Sequence, residues 1–217
     1  RIELIVEDSR SSLKDAVSAF NKLVFQEKVR IVIGDIISGT TLAVAPIAEK
    51  NHVILFAPGA SNPKLRDAGD YIFRNWTSDD FDGLAMAKYL MKKDVQELGL
   101  LVQKTDYTIG LAEALVKELT QPTADGSNSR RIISRQEFET NDSDLRTQLG
   151  KLKESGATNV YVSAYSPGTG LALKQAQELA YTPAWYATLT ADTPECGSIA
   201  GDARNGVVFT TPTFNID

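Results

Sequence analysis

Between Val29 and Lys50 a β-branched run, Val29-Arg30-Ile31-Val32-Ile33, hands over through a polar turn to a helix-forming segment, and the same handover recurs along the chain. A run of this kind predicts a strand buried on both faces, because only a sheet covered above and below tolerates continuous apolar character. Leu42 to Lys50 then reads as a helix entered through Ser38-Gly39-Thr40-Thr41. Ser38 is the expected N-cap, and the first turn carries no acid to occupy the orphan N–H groups or the positive end of the dipole. An anion could dock there, or the donors could simply face water.

Further units follow in order. Ile2 to Val6 is expected as a strand, and Ser12 with Asp15 opens an amphipathic helix running toward Lys28. Val53–Phe56 and Tyr71–Trp76 are expected strands, separated by the turn-forming cluster Ala57-Pro58-Gly59-Ala60-Ser61-Asn62-Pro63. A helix begins at Ser78-Asp79-Asp80 and closes at Lys92-Lys93, both ends matching the dipole. The alternation then restarts: strand 99–102, helix 109–120, loop 122–129, strand 131–138, a helix carrying Leu145, Leu149 and Leu152, strand 160–165, helix 170–180, and strands 184–188 and 206–210. Repeated strand–helix units imply parallel sheets with helices on both faces. Ser38-Gly39-Thr40-Thr41-Leu42-Ala43 is echoed by Ser166-Pro167-Gly168-Thr169-Gly170-Leu171-Ala172, so two α/β lobes with a cleft between them are expected, each offering a polar loop at its sheet's C-terminal edge.

Composition narrows the functional classes. With 217 residues there is room for one large or two small domains, and a net charge of −5 with scattered Lys and Arg argues against nucleic acid or an anionic membrane as the main partner. No apolar run approaches spanning length, so direct membrane insertion is not expected. The single cysteine, Cys196, allows no intrachain disulfide.

Catalytic and metal-binding constellations are absent. His52 is the only histidine and reads as a loop or strand-edge residue; there is no nucleophile elbow, no Cys/His cluster and no phosphate loop. Gly168-Thr169-Gly170 followed by Asp192 has a trace of a dinucleotide fingerprint, but Leu173 replaces its third glycine. No enzyme activity and no cofactor or metal are expected.

Several stretches together resemble the branched-chain amino acid binding proteins of bacterial ABC importers. They are Val32-Ile33-Gly34 to Ser38-Gly39, Ala43-Val44-Ala45-Pro46-Ile47-Ala48-Glu49, Ala57 to Pro63, Tyr71-Ile72-Phe73-Arg74, Asp106-Tyr107-Thr108-Ile109-Gly110-Leu111-Ala112, Leu173-Lys174-Gln175-Ala176, and Ile199-Ala200-Gly201-Asp202 with Gly206-Val207-Val208. The resemblance implies an α/β type I periplasmic binding fold, with two Rossmann-like lobes, parallel sheets and a hinge. It implies an N-terminal lobe over 1–76, a C-terminal lobe over 77–210 and a return toward the first lobe over 211–217. It also implies a chain lacking the central first strand and the C-terminal part, and hence an unstable first lobe.

The resemblance further implies ligand-binding positions. The hydroxyls of Ser38 and Ser61 would hold the ligand's carboxylate with help from the N–H groups near Gly59 and Ala60, Ile37 and Thr40 would also line the site, and Tyr107 and Tyr165 would close over the ligand. Where amino-acid binders of this family place an acid for the ammonium, Leu189 stands here, with Thr190 beside it. A plain α-amino acid would then leave a buried ammonium unpaired unless Asp106 or Asp192 supplied the charge, so carboxylates with an apolar or aromatic tail, or small amides, are also open. The implied partners are a small-molecule ligand and an ABC transporter permease, at a periplasmic or extracellular lipid-anchored location. The alternative is a ligand-sensing domain of a signalling or regulatory protein with the same fold.

Overall fold

The computed structural model describes residues 2–122 and 128–212. The chain divides into two compact units, Arg1–Ser78 and Asp79–Asp217.

The first unit is built on a three-stranded parallel sheet of order β1-β2-β3, with β1 Ile31–Ile33, β2 Ile54–Ala57 and β3 Ile72–Arg74. Helix α1, Leu13–Asn21, starts at Ser12, whose hydroxyl accepts the Asp15 N–H as the capping pattern predicts, and a π turn over Lys22–Gln26 extends it. Helix α2, Ser38–Lys50, joins β1 to β2. Ala16 and Phe20 of α1 and Val44, Ala45 and Ala48 of α2 pack on Val32 and Leu55, covering one face of the sheet. Side chains alternate across a strand, so the neighbours of Val32 point the other way, and Ile31 and Ile33 are 63% and 72% exposed. The expectation of a strand buried on both faces is therefore corrected: a run reads as doubly buried only if a second layer exists, and among the described residues none covers the face that carries Ile31 and Ile33.

The strand expected at Ile2 to Val6 does not form: Ile2, Leu4 and Val6 are exposed, and the sheet runs from β1 to β3 without this stretch. A groove of about 340 Å³ lies beside β1, lined in part by Phe20, Leu23, Ile33 and Val44. His52 sits in the turn before β2 and stacks on Tyr71 with ring centroids 5.0 Å apart, a loop residue as expected.

The second unit carries a five-stranded parallel sheet of order β5-β4-β6-β7-β8, formed by β4 Glu97–Gln103, β5 Arg131–Phe138, β6 Asn159–Ser163, β7 Ala184–Ala187 and β8 Val208–Phe209. Alternation sorts its core into two layers. Leu98, Leu100, Val102 and Tyr161 face α3 (Asp79–Lys92) and α4 (Asp106–Thr120), while Leu101, Val160 and Val162 face α5 (Arg146–Glu154), α6 (Ser166–Glu178) and α7 (Pro194–Ala200). Both faces are covered, as strand–helix alternation predicts. Helix α7 was not anticipated, although Thr193 caps it through the Cys196 N–H and Pro194 begins it. The loop expected at 122–129 and the return expected at 211–217 fall largely outside the described residues. Among those described, no helix is long and apolar enough to cross a membrane, and no group of His, Cys, Asp and Glu could hold a metal ion.

Candidate functional site

Each unit gathers polar groups at the C-terminal edge of its sheet, where a strand turns into a helix. In the first unit the chain leaves β1, passes Asp35 and enters α2 with Ile37, not Ser38, as the N-cap residue. Ser38 is the first helical residue, so the expected Ser38 cap is corrected. Neighbouring side chains instead tie down the turn that enters the helix. Asp35 accepts the Ile37 N–H at 3.1 Å, Thr40 Oγ1 donates to the Ile37 carbonyl at 2.9 Å, and Thr41 Oγ1 reaches the carbonyls of Ile37 and Asp35. An acid thus stands just before the helix, though none lies in its first turn. By helix geometry the N–H groups of Ser38, Gly39 and Thr40 remain without an in-helix acceptor.

With its side chain released from capping, Ser38 meets the turn that follows β2. Its Oγ accepts the main-chain N–H of Ser61 and of Asn62, both at 3.2 Å. Ser38 and Ser61, read from distant parts of the sequence, are thus brought together, and both are buried, as is Ala60. The converging amides belong to Ser61 and Asn62, one and two residues beyond those expected, and they point at Ser38. Arg74, at the end of β3, donates from Nη1 to the carbonyls of Ser61 at 3.0 Å and Asn62 at 3.2 Å. Nothing in the local pattern around Arg74 signalled this role; its strand register opposite Ala57 creates it.

In the second unit, connections from β4 and β6 leave in opposite directions, since β5 lies on one side of β4 and β6 on the other. Such a reversal opens a crevice at the strands' carboxyl ends. Tyr107, in the first turn of α4, and Tyr165, the N-cap residue of α6, stand at this point with ring centroids 5.4 Å apart, tilted by 40°. Gln103, the polar residue that ends β4, holds the Tyr165 N–H through Oε1 at 2.8 Å. Ser163 Oγ donates to the Thr108 carbonyl at 2.7 Å, tying the end of β6 to α4. The Tyr107 hydroxyl pairs with Thr188 Oγ1 at 2.9 Å. Burial pushes the Tyr107 phenol well above its usual range; the Thr188 hydrogen bond offsets part of this, and the charges of Asp79 and Asp82 push it further up. The phenol stays neutral and polar across the physiological range.

Leu189 is half-buried at the start of a 3₁₀ turn, and Thr190 is buried with its hydroxyl donating to the Ala164 carbonyl at 2.7 Å. Asp106 and Asp192 are both exposed. Among the described residues the buried acid of this unit is Asp79, which the sequence offered only as a helix-dipole residue. Thr169 Oγ1 reaches the same Ala164 carbonyl at 3.3 Å, repeating in α6 what Thr41 does in α2. The sequence echo is thus a structural one: a helix of 13 residues beginning at a serine, uncapped by its N-cap side chain, with a threonine closing its first turn. The glycine pair read as a trace of a dinucleotide fingerprint serves packing, since a Cβ on Gly170 would come within 2.9 Å of Ile199 and 3.0 Å of the Cys196 carbonyl.

A family model described as periplasmic binding protein matches residues 1–217. The leucine-, isoleucine-, valine-, threonine- and alanine-binding protein of Pseudomonas aeruginosa is 26% identical over 214 residues, covering 98% of this chain and 56% of that protein. The chain thus spans about half the length of that relative. A crystal structure of a leucine-binding protein from Thermotoga maritima superposes with a TM-score of 0.86 at 31% identity, covering 96% of this chain and 58% of that one. A solute-binding protein of an ABC transporter from R. palustris, solved with 4-hydroxybenzoate, shares the fold with a TM-score of 0.76 at 18% identity, over 91% of this chain and 54% of that one.

Proposed function

The chain belongs to the periplasmic binding protein family, a family of non-enzymatic binding proteins, and from that premise we propose that it captures a small carboxylate-bearing ligand for an ABC importer. The single observation that carries the ligand class is Ser38. Its Oγ accepts two main-chain N–H groups, so its remaining O–H is a donor held ready for an anionic oxygen, next to helix N–H groups of the same polarity. In the second unit Tyr107 and Tyr165 offer aromatic surface and a neutral phenol suited to an apolar or aromatic ligand group. Ile37, Thr40, Gly59, Ala60, Ser61, Leu189 and Thr190 complete the proposed ligand-facing set.

Leu189 is the basis for the ligand's other end. Without a carboxylate at that position, a ligand ammonium gains no partner from it, which favours an aliphatic or aromatic acid over a plain α-amino acid. The names of the relatives point to leucine and its kin, and the two readings diverge on this group. A permease partner, in the periplasm or at an outer membrane face, would read out the ligand-bound state. The second reading, a sensing domain on the same fold, shares the ligand site and differs only in what reads it out.

The experiment is mass spectrometry of ligand retained through purification, followed by calorimetric titration with L-leucine, L-isoleucine, benzoate and 4-hydroxybenzoate. Saturable one-to-one binding of an acid supports the proposal; failure of all four acids, with an uncharged ligand retained instead, overturns it.

A further inference from the structure

We propose that Arg74 is a positioning residue that fixes the Ser38 hydroxyl as a hydrogen-bond donor, acting through the peptide between Ser61 and Asn62; the inference rests on the ligand-facing role given to Ser38 above. The geometry forms a short relay. A hydroxyl has two lone pairs and one O–H. The Ser61 and Asn62 N–H groups, each 3.2 Å from Ser38 Oγ, engage both lone pairs. What remains is the proton, and it can only be given away. A ligand oxygen that accepts is welcomed; a ligand N–H brought to the same place meets a second donor.

Those two amides hold this direction only if the turn that carries them is held. The Ser61 carbonyl, which Arg74 Nη1 binds at 3.0 Å, belongs to the same peptide unit as the Asn62 N–H. A cationic donor on a carbonyl oxygen polarises the amide and strengthens its N–H as a donor. The second bond, Nη1 to the Asn62 carbonyl at 3.2 Å, fixes the next peptide as well. One planar NH₂ therefore orients two consecutive peptides. The strand supplies the guanidinium: Arg74 pairs in register with Ala57, the last residue of β2 before the turn begins. A lysine keeps the charge but presents it as a point on a flexible stem, so it reproduces the attraction and not the fixed plane.

The test has two arms. The first needs no ligand: amide hydrogen exchange of Ser61 and Asn62 in the wild type, Arg74→Lys, Arg74→Gln and Ser38→Ala. Both amides are expected to be protected in the wild type, to exchange at least about tenfold faster in Arg74→Gln, and to lie between these limits in Arg74→Lys, while Gly34 and Ile54 in the β1–β2 ladder keep wild-type rates. The second arm titrates benzoate against benzamide and L-leucine against L-leucinamide. The wild type is expected to prefer an acid over its amide, and Arg74→Gln to narrow that preference about tenfold, chiefly by weakening the acid. A merely structural role would weaken acid and amide alike. Unchanged exchange at Ser61 and Asn62 in Arg74→Gln overturns the proposal, as does an equal loss for acid and amide. If the wild type binds none of the probes, the ligand class proposed above fails, and the exchange arm alone decides for Arg74.

Discussion

The hydroxyl of Tyr107 lies 2.9 Å from Oγ1 of Thr188, joining the first turn of α4 to the end of β7 across 81 residues of sequence. This bond ties a ring whose centroid lies 5.4 Å from that of Tyr165 to the strand end. Tyr107→Phe leaves Thr188 with an unmatched buried hydroxyl, so the second unit should lose about 1–2 kcal/mol in urea unfolding. Tyr107→Phe combined with Thr188→Val should recover part of that loss, because both polar partners are then gone. A double variant no better than the single one would mean the bond does not couple these elements.

Four phenols, those of Tyr107, Tyr161, Tyr181 and Tyr186, are held above their usual range chiefly by burial, Tyr181 up to about 12. A raised folded-state value means the native protein keeps protons that the unfolded chain releases. Stability from this source is fully present below about pH 10 and declines as pH rises toward the raised values, most for the deeply buried Tyr107 and Tyr161. Absorbance at 295 nm during alkaline titration should show these tyrosines ionising together with unfolding. A smooth early titration of all seven tyrosines would contradict it.

Helices α3 and α4 cross where Gly83 meets the backbone of Ala114 and Leu115. A Cβ at Gly83 would lie 2.6 Å from the Ala114 carbonyl carbon and from the Leu115 nitrogen. These are backbone atoms and cannot turn aside, so Gly83→Ala should separate the helices and cost the second unit about 1–3 kcal/mol. The urea midpoint of the Tyr89 and Tyr186 environment, followed by near-UV circular dichroism, reads the change directly.

The two units differ in how well they are covered. In the second, both faces of the sheet carry buried clusters; in the first, one face leaves Ile31, Ile33 and Phe73 exposed, with Ile36 nearby also exposed. Little buried apolar contact means low local stability. Amide exchange of the 217-residue chain should be faster throughout 31–57 than throughout 97–103 and 159–163, and a dye that binds exposed apolar surface should bind before any heating. Uniform protection across both sheets and one sharp cooperative melt would contradict this.

The second unit was the more readable from sequence, for a physical reason. Its strands are apolar runs covered on both sides, and pattern alone identifies such runs: Glu97–Gln103 and Asn159–Ser163 stand close to where the sequence puts them. Boundaries slipped where polar first turns hide a helix start, so α4 begins at Asp106 and α6 at Ser166, both earlier than periodicity indicates. Residues 2–6 and 29–33 have equally apolar patterns, yet their burial depends on neighbours that a local window cannot see. The same limit applies to the site. That Ala57 to Pro63 turns is legible; that its amides at Ser61 and Asn62 point back at Ser38, and that Arg74 holds their carbonyls, depends on strand register and could not be read from spacing.

The claim on which the account turns is that Ser38 receives a carboxylate. Calorimetric titration of the wild type and Ser38→Ala with the retained ligand, or with benzoate and L-leucine as probes, tests it most directly. An acid should bind the wild type one-to-one, and the variant should lose about 1–3 kcal/mol of affinity, since a carboxylate oxygen forfeits its hydroxyl donor. Equal affinity in both proteins, with the variant still folded, would remove Ser38 from the site.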